Sequence, residues 1–245
     1  MFRRLKTARG LVLGTAIAAL GTLAGAQNAP RTPFEDTMAQ RMQACTACHG
    51  AQGRAAPDGY YPRIAGKPAG YLYNQLLNFR DGRRHYRLMA QMVDPLTDSY
   101  LWEIAQHFAA LDLPYDAPAP VAVSPADLAR GQRLAQQGDG SLRIPACASC
   151  HGAQLTGMLP ATPGLLGLPR DYLNSQLGAW RTGQRRAHAP DCMAQVAQQL
   201  TQADVSAVSG WLATQVVPPH AKPAAAPSQA LPIACGAAAA PGAKP

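Results

Sequence analysis

CASCH, residues 147–151, sets two cysteines three positions apart with a histidine directly behind them, and CTACH, residues 45–49, does the same. On a helical turn, positions i, i+3 and i+4 share one face. In each copy, then, two thiols and an imidazole point the same way. The neighbours of the motif are copied too. His49-Gly50-Ala51-Gln52 matches His151-Gly152-Ala153-Gln154, and PRIAGKPAGYLYNQL (62–76) matches PGLLGLPRDYLNSQL (163–177). FRDGRR (79–84) matches WRTGQRR (180–186), and MAQMVDPLT (89–97) matches MAQVAQQLT (193–201). The repeat of about a hundred residues is too long for a solenoid and suits a duplicated small domain.

C-x-x-C-H is the attachment sequence of a c-type haem: the thiols add to the haem vinyl groups as thioethers and the histidine lies beneath the iron. Composition points the same way. Alanine swells the 47% hydrophobic share while aromatics are only 6%, so the chain is short of bulky side chains with which to fill a core. A flat apolar haem in each repeat supplies that bulk. Two other uses of paired cysteines fit worse. A thioredoxin-like site needs a βαβ setting, and no stretch alternates like a strand. A single zinc site with four cysteine ligands would have to unite two pairs that each sit in a complete repeat. Cys45, Cys48, Cys147 and Cys150 are therefore the expected attachment sites of two haems, with His49 and His151 as proximal ligands. Pro62 and Pro163 are placed to offer each histidine a carbonyl for its second ring nitrogen.

A haem iron held by one histidine has a sixth position, and a methionine thioether there raises the reduction potential. Met89 and Met193 align across the repeats, each seven residues before the leucine that precedes a threonine. They are the expected sixth ligands. Met92 aligns with Val196 and is expected to pack in the core. His85, His107 and His188 are the rival ligands, His188 the strongest of them. The arginines 80, 83, 84, 181, 185 and 186 read either as partners of haem propionates or as a solvated basic face.

Helix signals surround these residues. Thr32-Pro33-Phe34-Glu35 reads as a capping box with proline at the first helical position, opening a helix toward Cys45, and Ser124-Pro125-Ala126-Asp127 reads likewise in the second copy. Helices are expected over Tyr71–Arg80 and Tyr172–Arg181. Thr97 caps a closing helix with Leu101, Ile104, Ala105 and Phe108 on one face, and Thr201 caps its counterpart with Val205, Val208, Trp211 and Leu212. The fold class is all-α.

Residues 1–26 read as a signal peptide: Arg3, Arg4, Lys6 and Arg9, an apolar run, then Ala24-Gly25-Ala26 before the cut. The apolar run is short for a membrane span, and no later segment is apolar enough for one. The expected compartment is the periplasm. This segment holds four of the 22 basic residues and none of the 14 acidic ones, leaving a net charge of +4 beyond it. That is too small and too scattered to argue for nucleic acid. The remaining divisions are a first domain over 27–112, a Pro/Ala-rich linker over 113–125, a second domain over 126–217 and a low-complexity tail over 218–245.

CxxCHG, then PxxxGxPxxYLxxQL, then an Arg-rich turn, then a methionine and an LT-capped helix: this double pattern resembles the di-haem class I cytochromes c of the cytochrome c4 type. The resemblance covers roughly residues 34–217. It implies two tandem class I cytochrome c domains, each a few helices around one covalent haem, with Cys45, Cys48, Cys147 and Cys150 as attachment sites and His49, Met89, His151 and Met193 as axial ligands. It implies electron transfer in the periplasm between redox proteins such as a dehydrogenase, a cytochrome complex or a terminal oxidase, and no enzymatic activity. Two alternatives stand beside it: the cytochrome subunit of a periplasmic dehydrogenase, and a di-haem enzyme such as a peroxidase or thiosulfate dehydrogenase with one weak sixth ligand. Cys192 and Cys235 fall outside the family pattern. They are the cysteines left over, and a Cys192–Cys235 disulfide is expected to pin the tail across the second haem crevice; the minor alternative is a Cys192 thiolate on the iron. Three extra residues before Met193 are a further departure from the first repeat.

Overall fold

Ser124 shows how the helices are specified. Its hydroxyl accepts the Asp127 amide at 3.1 Å, with Pro125 at the first helical position, so the chain turns from extended to helical where the sequence places the cap. The computed structural model describes residues 36–56, 58–226 and 230–239. The signal segment 1–26, the capping sequence Thr32–Glu35 and residues 240–245 lie outside the described residues. From Thr37 onward the chain forms a single compact unit.

Its first half contains α1 (Met38–Arg41), α2 (Gln43–His49), α3 (Ala69–Arg80), α4 (Arg87–Val93) and α5 (Asp98–Ala109). The second half contains α6 (Pro125–Gln136), α7 (Cys147–His151), α8 (Arg170–Arg181), α9 (Cys192–Gln199) and α10 (Gln202–Thr214). A small hairpin follows α7: β1 (Gly157–Met158) pairs antiparallel with β2 (Thr162–Pro163). No strand is expected from the sequence here, because two-residue strands are too short to show alternation. Thr37 caps the first described helix, its hydroxyl accepting from the Gln40 amide.

The closing helices are built as their caps indicate. Thr97 accepts the Tyr100 amide, and Leu101, Ile104, Ala105 and Phe108 are buried on one face of α5. Thr201 and Asp204 exchange side-chain-to-backbone bonds in a capping box on α10, which buries Val205, Val208, Trp211 and Leu212. In the first half α3 packs on α4 and α5; in the second α8 packs on α9 and α10. Helix α6 crosses α10 at Gly131, where a Cβ would come within 2.3 Å of the Ala207 carbonyl oxygen, so this crossing admits no side chain. Each half has its own core: Leu72, Phe79, Leu101 and Phe108 in the first, Leu134, Leu173, Val208 and Leu212 in the second.

The Arg-rich turns join the halves. The His85 amide donates to the Gln184 carbonyl at 3.0 Å and the Arg186 amide to the Arg83 carbonyl at 2.7 Å. Across this junction Arg84 donates to Gln176 and Tyr172, while Arg185 donates to Gln75 and Tyr71. The two guanidiniums thus occupy equivalent, reciprocal places. The segment between the halves has no helix or strand from 111 to 124; Arg63 holds it through the Leu113 and Pro114 carbonyls.

Arg130 ties α6 to α10 by donating to Asp204 and Asp139, each at 2.7 Å. Burial alone would raise the Asp204 carboxyl, but hydrogen bonds from Arg130 and Thr201 outweigh it and hold the group below its usual range. Asp139, bonded by Ser141 and Arg130, is pulled down to about 2. Carboxyls depressed in the folded state add stability above their unfolded pKa of about 4 and lose it as pH falls toward their folded values. Stability is therefore expected to decline between about pH 4 and pH 2. Arg130→Met should destabilise the fold at neutral pH and flatten that acid decline, as read by denaturant unfolding at a series of pH values.

Candidate haem-binding cavity

The two CxxCH helices face one continuous cavity of about 1090 Å³. Helix α2 brings Cys45, Cys48 and His49 to its wall, and α7 brings Cys147, Cys150 and His151. Each helix ends at a glycine of positive φ, Gly50 at 74° and Gly152 at 83°, and the chain then returns past its own histidine. On that return Pro62 accepts a hydrogen bond from His49 Nδ1 at 2.8 Å, and Pro163 from His151 Nδ1 at 2.7 Å. With Nδ1 occupied, Nε2 keeps the lone pair that a metal needs. Burial pushes both imidazoles down in pKa, against the opposing effect of the proline carbonyls, which favours the neutral form that could bind a metal.

The four motif thiols form no disulfide, although each pair shares a face. Burial pushes Cys147 up to about 11 and raises Cys45 and Cys150 as well. Such surroundings favour a neutral sulfur, as in a thioether, over a zinc-bound thiolate.

Met89 on α4 and Met193 on α9 also line the cavity. Met92, expected in the core, is 49% exposed and, like its counterpart Val196, lines the cavity. The residue after it takes the buried position in both halves: Val93 in α4, Ala197 in α9. Among the rival histidines, His85 lines the cavity. His188 contacts Arg83 at 3.4 Å, and His107 stacks edge-on against Phe108.

The arginines divide into two sets. Arg80 pairs with Asp98 and Asp81, Arg83 with Asp81, Arg181 donates to Gln202, and Arg186 donates to the Gly82 carbonyl. Arg84 and Arg185 line the cavity, and neither forms an ion pair with any described carboxylate. Arg185 is buried, with its guanidinium 3.8 Å above the Trp180 ring. Trp180 itself lines the cavity and has a buried indole N–H without an acceptor. A buried cation with no counter-charge and an orphaned donor are costly unless a bound group completes them. Haem propionates are anionic acceptors, so these residues fit a haem as well as the histidines do. Trp180, Gln75 and Gln176 are not anticipated as site residues from the sequence. The signal was there in the glutamines, which are polar residues repeated at matching positions of the middle helices.

The tail reaches the same cavity. Cys192 and Cys235 are joined by a disulfide, S–S 2.01 Å. Leu231, Ile233 and Cys235 line the wall beside Met193. The Gly236 amide donates to the Pro190 carbonyl, and buried Asn74 on α3 donates to the Ala237 carbonyl at 3.1 Å. The segment thus bridges the two halves at the cavity edge.

The cytochrome c family model matches residues 128–215. The chain is 39% identical over 175 residues to the thiosulfate dehydrogenase electron acceptor of Thiomonas intermedia (strain K12), covering 71% of this chain and 80% of that one. Among solved structures it is similar to reduced recombinant cytochrome c4 from Pseudomonas stutzeri, with a TM-score of 0.61 and 30% identity, covering 71% of this chain and 95% of that one. It is similar also to a thiosulfate dehydrogenase (TsdBA) from Marichromatium purpuratum, with a TM-score of 0.63, 34% identity and 70% of this chain covered. Against that last protein the chain spans about a third of the length, 36%.

Proposed function

The chain belongs to the di-haem class I cytochromes c of the cytochrome c4 type, and from that premise we propose that it is a periplasmic carrier taking electrons from a thiosulfate-oxidising dehydrogenase. Two covalently attached c-type haems go with the family. Bound haem supplies one-electron exchange between ferrous and ferric iron. In this reading Cys45 and Cys48 hold the first haem and Cys147 and Cys150 the second. His49 and His151, oriented by Pro62 and Pro163, together with Met89 and Met193, would supply the protein ligands of the irons. Residues 27–112 and 126–217 form the two haem domains, 113–125 the linker and 218–245 the tail.

The observation that carries the reading is the cavity shared by both CxxCH helices and both methionines. With Met89 and Met193 among the residues that would hold the iron, the chain's own work would be to bind haem, exclude water and set its potential. The choice of donor is supported by the relative from Thiomonas intermedia, named for accepting electrons from thiosulfate dehydrogenase. A periplasmic setting is supported by the Cys192–Cys235 disulfide, since such bonds persist in oxidising compartments. Among the described residues no helix is long and apolar enough to cross a membrane. A second reading, a stable subunit of the dehydrogenase, is favoured by the likeness to the longer Marichromatium purpuratum protein.

Anaerobic mixing of the oxidised protein with thiosulfate tests the proposal. Thiosulfate alone should leave both haems ferric, and adding a thiosulfate dehydrogenase should reduce both. Reduction by thiosulfate alone would make the protein an enzyme; no reduction with the dehydrogenase present would remove it as the donor. Co-elution of the two proteins on gel filtration separates subunit from carrier.

A further inference from the structure

Lys67 departs from the repeat: the aligned residue of the second half is Leu168. It is buried, at 5% exposure, and lines the haem cavity. Although it belongs to the first half, its Nζ donates across the junction to the Gly164 carbonyl at 3.3 Å. Gly164 directly follows Pro163, whose carbonyl accepts the His151 Nδ1 hydrogen at 2.7 Å. The ammonium also lies over the Tyr115 ring at 5.9 Å. It forms no ion pair among the described residues.

We propose that Lys67 is a positioning residue supplied by the first half to the second haem. It braces the Pro163–Gly164 segment that orients His151, and its charge raises the potential of the second haem while leaving the first nearly untouched. The physical basis is simple. A buried cation is screened little, and ferrous iron carries one positive charge fewer than ferric, so a nearby ammonium favours the reduced state. A buried, unpaired ammonium is itself costly. A polar contact that served packing alone would need no charge here, as the leucine at the matching position indicates. The inference rests on the two haems and not on which dehydrogenase feeds them.

The test uses the full di-haem protein as Lys67→Met and Lys67→Arg, with a two-step spectropotentiometric titration and proton NMR of each haem's methyl resonances to identify which site moves. In Lys67→Met the reduction equilibrium of the second haem should fall about tenfold, which is about 59 mV for a one-electron couple. The first haem should stay within about twofold, and Lys67→Arg should retain most of the wild-type value. Unchanged midpoints, equal shifts at both haems, a shift confined to the first, or an arginine variant that moves as far as the methionine one would each overturn the proposal. Failure of thiosulfate-dependent reduction would leave these midpoints unaffected and count only against the proposed donor.

Discussion

Produced without haem, the chain will not hold this fold. The cavity of about 1090 Å³ is walled by both cores, with Leu72, Phe79, Ile104 and Phe108 on one side and Leu134, Leu173, Val208 and Leu212 on the other. Without haem these apolar walls face water instead of a bound group, and the dispersion contacts and apolar burial that hold two small cores together are lost. The walls would collapse or open instead. Replacing Cys45, Cys48, Cys147 and Cys150 by serine, in cells that then attach no haem, should give a chain that has lost near-ultraviolet circular dichroism and much of its helical signal. Arg185 and the Trp180 indole push in the same direction, since each needs an anionic or accepting partner in that volume. A haem-free chain that unfolds cooperatively from a native-like spectrum would show that protein side chains alone suffice for the core.

The second large effect concerns the tail. Changing Cys192 and Cys235 together to serine opens a loop with a sequence separation of 43. By loop-closure entropy this should cost about 4 kcal/mol, or roughly 8–16 °C in melting temperature for a chain of this size. The loss is local as well. Cys192 begins α9 and Met193 follows it, while Leu231, Ile233 and Cys235 cover the wall next to that methionine. Released from α9, this end of the tail is left to hydrogen bonds such as those from Asn74 to Ala237 and from Gly236 to Pro190. The double variant should therefore bind carbon monoxide at the second haem, once reduced, and not at the first. A variant as stable as the parent and equally closed to the gas would reduce the disulfide to a passive link.

Local signals carried the sequence reading far. A cap acts through the first turn of its own helix, so Ser124, Thr97 and Thr201 announce α6, α5 and α10, and the buried faces of α5 and α10 follow from helical periodicity. The motif histidines and the prolines that accept from them are likewise within one repeat. What the sequence withheld depends on contacts between repeats. Arg84 meets Gln176, and Lys67 meets Gly164, across about a hundred residues of chain, and no periodicity reports such a meeting. The exposure of Met92 was missed for a different reason. Alignment with Val196 marks two equivalent positions, and both line the cavity, while the fully buried residue on α4 and α9 is the next one, Val93 or Ala197. The hairpin β1–β2 is too short to leave a pattern, and the tail, alanine- and proline-rich, gives no sign that Ala224 pairs with the Gly157 and Leu159 backbone.

The most direct measurement is the optical spectrum of the fully reduced wild-type protein before and after carbon monoxide. An electron carrier with Met89 and Met193 on the irons predicts no change at either haem. Binding of the gas at one haem would contradict the account, because it would give that iron an open or weakly held sixth position and make it a site for chemistry.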